Sequence, residues 1–243
     1  MKRNPKVISI VTSKGGVGKS TVCLGLAGHF MEHNKVLLVD LDYQCNITNT
    51  WGLHLKKPTI YDFLTKDRKV DPVSLGPSLD LLQGDVRMSR FAIAMQGNSF
   101  SAFALRDLCQ YLNYDIIIVD SPVSDLESRN AIQASDLLLS VVEPEEYSFE
   151  NVVPFIKSLE KDRAKLDGII INKVHRNYKV HKQMIREYQS VFPELVFETV
   201  IPTDVEVTKA QQNHELLIDY SPNSRANKAL WKLKAEIWER LKK

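Results

Sequence analysis

Residues 13–21 read Ser13-Lys14-Gly15-Gly16-Val17-Gly18-Lys19-Ser20-Thr21, between a short apolar run, Val7 to Thr12, and a helical pattern continued by Leu24, Leu26, Ala27 and Phe30. Strand, glycine loop, helix is an order that few architectures accommodate. A tight loop of this kind aims backbone N–H groups at phosphate oxygens, and the positive end of the following helix dipole adds to the attraction. The segment meets the pattern G-x-x-x-x-G-K-[ST] except at its first position. Lys19 is therefore expected on the β- and γ-phosphates and the Ser20 hydroxyl on Mg²⁺.

The remainder of the chain supplies a sheet for that loop. Apolar runs at Lys6 to Val11, Lys35 to Asp40, Leu79 to Leu82, Asp115 to Asp120, Leu137 to Val142, Gly168 to Ile171 and Leu195 to Ile201 alternate with helix-length amphipathic stretches. Ile116-Ile117-Ile118-Val119 lacks the alternation of a one-sided strand, which favours parallel strands covered on both faces. The expected class is α/β, a doubly wound, mostly parallel sheet with helices on both faces. The 243 residues permit one large domain or two small ones. No repeat or Pro/Gly-rich linker divides them, so one domain over residues 1–243 is expected. The stretch from Leu53 to Gly76, with Pro58 and Pro72, is the least regular, and a short helix is expected around Ile60, Phe63 and Leu64.

Composition excludes other classes. With 44% hydrophobic and 26% charged residues the chain is neither disordered nor collagenous. Cys23, Cys45 and Cys109 are too few and too scattered for a disulfide framework or a paired-ligand zinc site, and a reducing cytoplasm is the expected setting. The opening Met1-Lys2-Arg3-Asn4-Pro5 does not read as a signal peptide, and no run approaches the roughly 18 apolar residues of a membrane span.

The extra lysine ahead of the glycines carries a resemblance. Lys14-Gly15-Gly16-Val17-Gly18-Lys19-Ser20-Thr21 resembles the deviant Walker A loop of the ParA/MinD family of ATPases. That resemblance implies that Lys14 reaches across a nucleotide-sandwich homodimer to the partner's phosphates. Val39 to Asn46 looks like the family's D-x-D-P-Q-G-N switch, with Tyr43 and Cys45 replacing Pro and Gly; by resemblance Asp42 orients or activates the attacking water and Asp40 supports the metal shell. Tyr114 to Pro122 resembles the hydrophobic strand ending in D-[ST]-P-P, with Val123 at the last proline. Asp120 is then expected to hold Mg²⁺ through water, at the strand edge where open α/β sheets bind ligands. Asn172-Lys173-Val174-His175 begins like the N-K-x-D element that reads guanine, but His175 stands in place of the Asp, which favours adenine. In the family an Asn at this point and an I-P-x-x-x loop flank the base, which implies Asn172 and Pro202 here.

Two basic segments stand out. Residues 173–186 hold Lys173, Arg176, Lys179, Lys182 and Arg186 with no acid. Residues 225–243 hold seven basic residues, Arg225 and Lys228 among them, against Glu236 and Glu239. On a helix from about Tyr178 to Ser190, Lys179, Lys182 and Arg186 share one face, with Arg176 just ahead. Such a face is either a solvated surface or a seat for DNA phosphates. In the family, ATP-bound dimers coat the nucleoid, so the resemblance implies sequence-independent binding of double-stranded DNA. The last helix carries a stripe of Ala226, Leu230, Leu233, Ile237 and Leu241 ringed by basic residues. It reads either as a membrane-seeking helix of the MinD kind or as one docked on the domain. Glu236 and Glu239 and the narrow stripe favour docking.

The resemblance as a whole implies a partitioning ATPase in the cytoplasm and on the nucleoid. Its Mg·ATP-dependent dimer binds DNA and is released when a ParB-type partner stimulates slow hydrolysis. No segment ahead of Lys6 is long enough for an operator-reading domain. The alternatives are a membrane-cycling positioning ATPase and, given Tyr43 and Cys45, a nucleotide-bound scaffold that barely hydrolyses.

Overall fold

Strands β1 (Lys6–Val11), β2 (Val36–Asp40), β4 (Leu79–Leu82), β5 (Ile116–Asp120), β6 (Leu137–Val142) and β7 (Gly168–Ile171) run parallel, each paired with its neighbour in the sheet, and β3 (Val73–Gly76) closes one edge antiparallel to β4. The order across the sheet is β3-β4-β2-β5-β1-β6-β7. This computed structural model describes residues 4–53, 55, 57–66, 68–97, 101–123 and 125–242. Met1 to Arg3 and Lys243, named or counted above, lie outside the described residues.

The absence of alternation in the strands has its cause in the packing. Ile8, Ile10, Ile116, Ile118, Leu139 and Val141 face one layer, with α1 (Lys19–Phe30), α2 (Asn46–Thr50), α9 (Val205–Gln212), α10 (Leu217–Tyr220) and α11 (Arg225–Leu241). Val7, Val11, Ile117, Val119, Leu138 and Val142 face the other, with α3 (Ile60–Lys66), α4 (Phe91–Ala94), α5 (Ala104–Tyr111), α6 (Asp125–Ala134), α7 (Glu146–Glu160) and α8 (Lys179–Val191). Every position of β2, β5 and β6 is buried as a result.

Two expectations are corrected. Val73 to Gly76 forms β3, a hairpin partner of β4 inside the stretch read as irregular; Pro77 and Ser78 make the turn. Leu195 to Ile201 is not a strand. It runs beside β7, where the Ile169 amide donates to Leu195 O and the Phe197 amide to Ile169 O, but the next bond to β7 comes from Ile201 to Ile171 O. The intervening amides of Glu198 and Thr199 turn outward and donate to the Glu236 carboxylate of α11 at 2.9 and 3.0 Å. A side chain thus outcompetes the ladder for two N–H groups and leaves only isolated bridges.

Helix α11 lies against α1. Ala226, Leu230, Leu233 and Ile237 are buried, and Gly25 of α1 leaves the space that Leu230 fills. Trp238 tilts against Phe30 with ring centroids 6.2 Å apart. Burial of a leucine or isoleucine is worth about 1.5–3 kcal/mol each, and undocking this helix would also uncover the α1 face around Gly25 and Phe30 that it covers. The docked reading of the last helix is the one the structure bears out. Among the described residues no helix is long and apolar enough to cross a membrane.

The same interface buries His29. Its Nε2 lies 3.0 Å from Asn227 Oδ1 and 3.2 Å from Asn227 O, so Nε2 carries the proton, while Nδ1 is buried without a partner among the described residues. Burial, its largest influence, lowers the pKa below the ordinary imidazole value. The unfolded chain gains a proton near pH 6.5 that the folded chain resists, so stability falls as pH drops through about 6.5. His29→Gln is expected to flatten this part of the profile, measured by urea unfolding between about pH 7.5 and 5.5.

Candidate functional site

The loop joining β1 to α1 turns through Gly16 and Gly18, at φ 80° and 89°. These left-handed conformations favour glycine, and at Gly18 a methyl group would also strike the Asn172 amide. Thr12 ties the loop's start by donating from Oγ1 to Lys14 O at 3.0 Å. Gly18 caps α1 with no side-chain bond, and the first turn of the helix holds no acid. Its N–H groups are accordingly left for an anion.

Because β1, β2 and β5 are parallel neighbours, Asp40 and Asp120 stand side by side at their carboxyl ends, facing the loop. Asp120 is fully buried and accepts hydrogen bonds from Lys19 Nζ and from Ser20 Oγ, the latter at 2.5 Å. Lys19 Nζ also lies 3.8 Å from Asp42. Burial alone would depress the Lys19 pKa, but Asp120 and the other groups around it hold it above its ordinary value. Burial raises Asp120, against the opposing pull of Lys19 and Ser20. Asp42 fixes one oxygen on the Gln44 amide at 2.9 Å and presents the other toward Lys19. Asp40 is buried deeper; one oxygen accepts from the Thr48 amide and hydroxyl at 3.0 and 2.8 Å, and the other has no partner among the described residues.

Two cavities of about 290 Å³ each flank the junction of loop and helix. The first is walled by Lys14 to Thr21, Asp42, Asn46 and Val123, a polar space suited to phosphates. The second, lined by Val22, Asn172, Ile201, Pro202, Thr203 and Val207 among others, is the more apolar and suits a flat base. Asn172 sits in its wall with Nδ2 donating to Val17 O at 2.8 Å, so its amide also braces the loop. Gln211 borders both cavities and donates to Thr21 Oγ1 at 3.1 Å.

The switch replacements take defined places. Cys45 occupies the position where the motif has glycine, and its φ is 52°, the left-handed backbone that glycine serves best. Its thiol is pushed up to about 12 by burial and by the neighbouring carboxylates of Asp40, Asp85 and Asp42. Tyr43 stands half-exposed beside it.

The sequence places Lys173 in a basic run and in the N-K-x-D-like element, without a contact to the glycine loop. Lys173 belongs to the site: at φ 55° its Nζ donates to Gly16 O at 2.5 Å and pairs with Glu143 at 2.7 Å. Glu143 and Glu145, which follow β6, also hold Lys14, at 3.6 and 3.0 Å. Nothing in residue spacing marks these pairs; the sequence offers only the weak signal of acids after a buried strand.

The remaining predicted residues are exposed. Arg176 precedes α8, while Lys179, Lys182 and Arg186 lie on it, and none of the four makes an ion pair among the described residues. Arg225 and Lys228 begin α11 and meet Arg176 around one cleft of about 490 Å³, joined there by Lys232. The two basic segments, about fifty residues apart in the chain, therefore meet at Arg176.

Comparison with known proteins agrees with this geometry. A family model described as an AAA domain matches residues 5–171. The sporulation initiation inhibitor protein Soj of Bacillus subtilis is 28% identical over 247 residues, covering 96% of this chain and 98% of Soj. A crystal structure of a plasmid partition protein from Borrelia burgdorferi bound to AMPPNP superposes with a TM-score of 0.82 at 25% identity, covering 98% of this chain and 99% of that one. The septum site-determining protein MinD of Pyrococcus horikoshii, solved with Mg-ADP, shares the fold at a TM-score of 0.79 and 24% identity, over 96% of each chain. The chain therefore belongs to the AAA-domain family, as an ATPase of the ParA/Soj/MinD type.

Proposed function

We propose that this ATPase partitions DNA cargo: with Mg·ATP it forms a sandwich homodimer that binds duplex DNA without sequence preference, and a ParB-type partner triggers the hydrolysis that releases it. The observation that carries the reading is the cleft at which Arg176 meets Arg225, Lys228 and Lys232, with Lys179, Lys182 and Arg186 exposed on the helix that follows Arg176. Unpaired cations on adjoining elements suit phosphates spaced along a backbone and need no base-reading residues.

The donor set fits Mg²⁺. Ser20 and Asp120 offer hard oxygens already within hydrogen-bond reach of each other, and Asp40 keeps an unpartnered buried oxygen in support. When bound, Mg²⁺ neutralises charge on the β- and γ-phosphate oxygens. Lys19 binds those same phosphates, the first-turn amides of α1 cradle them, and Asp42 orients the attacking water. Asn172 and Pro202 hold the base, and Lys14 acts on the partner's nucleotide.

The test is binding to random-sequence duplex DNA with ATP, with ADP and without nucleotide, at low and high salt. The expected result is binding that requires ATP, weakens steeply with salt, and is lost in the triple variant Lys179→Glu/Lys182→Glu/Arg186→Glu. ATP-independent binding, or a triple variant that binds like the parent, would sink the reading.

A further inference from the structure

Lys14 is held inside its own protomer. Its Nζ donates to Glu145 Oε2 at 3.0 Å, lies 3.6 Å from Glu143, and stands 5.8 Å over the ring of Tyr147. The two carboxylates are themselves fixed: Pro144 separates them, the Glu145 amide donates to Glu143 O at 2.9 Å, and the turn joins the end of β6 to α7. They differ in what else they hold. Glu143 is largely buried, at 12% exposure, and its other oxygen takes Lys173, which in turn grips Gly16 O. Glu145 is half-exposed, at 51%, and Lys14 is the one cation paired with it among the described residues.

From this division we infer that Glu145 is a positioning residue for Lys14, a releasable carboxylate that keeps the ammonium at home until a phosphate group displaces it. The inference rests on the cross-protomer role proposed for Lys14. An ammonium that reaches across to the phosphates of the facing protomer is drawn away from the carboxylate of its own. Dimerisation must therefore break the Lys14–Glu145 pair, and the strength of that pair helps set the ATP concentration at which dimers appear. The pair is suited to release because exposed ion pairs are weak and easily screened. Glu143 meanwhile stays with Lys173 and keeps the loop in shape. The Lys14 pKa stands above its ordinary value, chiefly through the Glu145 hydrogen bond, in keeping with an ammonium that has a fixed partner.

The experiment is competitive acylation of lysines with acetic anhydride in protein without nucleotide, read residue by residue by mass spectrometry, on wild type and Glu145→Gln. Lys14 reactivity is expected to rise about two- to fivefold in Glu145→Gln, the range a half-exposed pair supports, while Lys19 and Lys179 keep their rates. A purely structural role for Glu145 would move the reactive lysines together. High salt should bring wild type toward the variant. Crosslinking across an ATP titration should place the midpoint for dimers lower in Glu145→Gln. Unchanged Lys14 labelling, or a midpoint at or above wild type, overturns the positioning role. Lys14→Ala separates the two ideas: if it dimerises like wild type, the cross-protomer reading fails whatever the labelling shows. If it loses dimers while Glu145→Gln labels like wild type, only the positioning role fails.

Discussion

Lys19→Ala is expected to abolish ATP turnover and, without any nucleotide, to destabilise the fold by about 3–5 kcal/mol, because it leaves the buried Asp120 carboxylate without its cation. The second effect is the more diagnostic. Adding Asp120→Asn in the Lys19→Ala background removes the stranded charge, and most of the stability should return while activity stays absent. The defect should also depend on pH. Without Lys19, the folded-state pKa of Asp120 rises further above its unfolded value, folding takes up a proton, and the penalty grows as pH rises above the unfolded carboxylate value of about 4. Urea unfolding of the two single variants and the double variant measures all three statements. A Lys19→Ala protein as stable as the parent, or a double variant less stable than Lys19→Ala, would contradict this account of the pair.

Asp42→Ala is expected to lower ATP hydrolysis by about 10²–10⁴-fold while nucleotide binding stays within a few-fold. One Asp42 oxygen is committed to the Gln44 amide and the other faces the Lys19 end of the phosphate cavity, so the residue is positioned to act on water beyond the γ-phosphate. Asp42→Asn keeps the shape and loses the basicity. Single-turnover kinetics of both variants distinguish the roles: if Asn restores near-parental rates, Asp42 positions water without accepting its proton.

What the sequence made legible follows the reach of the interactions. The loop, the β5 run ending in Asp120 and the amphipathic α11 are local patterns: a glycine spacing, four buried residues in succession, a stripe at helical period. Each predicts its own environment. The short helix expected around Ile60, Phe63 and Leu64 is α3, but the polar contacts that hold it in place were not legible. Thr59 donates to Asp85 at 2.7 Å, and Arg87 grips Asp62 and Asp85 at 2.7 and 2.6 Å, holding both carboxyls below the ordinary range against the cost of burial. No periodicity announces such a knot. Lys173, Gln211 and Glu143 were missed as site residues for a related reason: their partners lie in the β1–α1 segment, more than 120 residues away in sequence. The strand expected at Leu195 to Ile201 failed because Glu236, far along the chain, competes for its amides.

That competition has a consequence for how the molecule behaves in a crowd. A sheet that ended at β7 with a free row of N–H and C=O groups would invite another chain to add a strand. Here the segment beside β7 covers that row, and its own backbone is occupied in turn: Glu236 takes the amides of Glu198 and Thr199, and Arg240 donates to Leu195 O at 3.1 Å and to Asp167 O. Two charged side chains of the last helix thus act as stoppers on this rim of the sheet, and a second copy of the chain finds no free row there along which to add a strand.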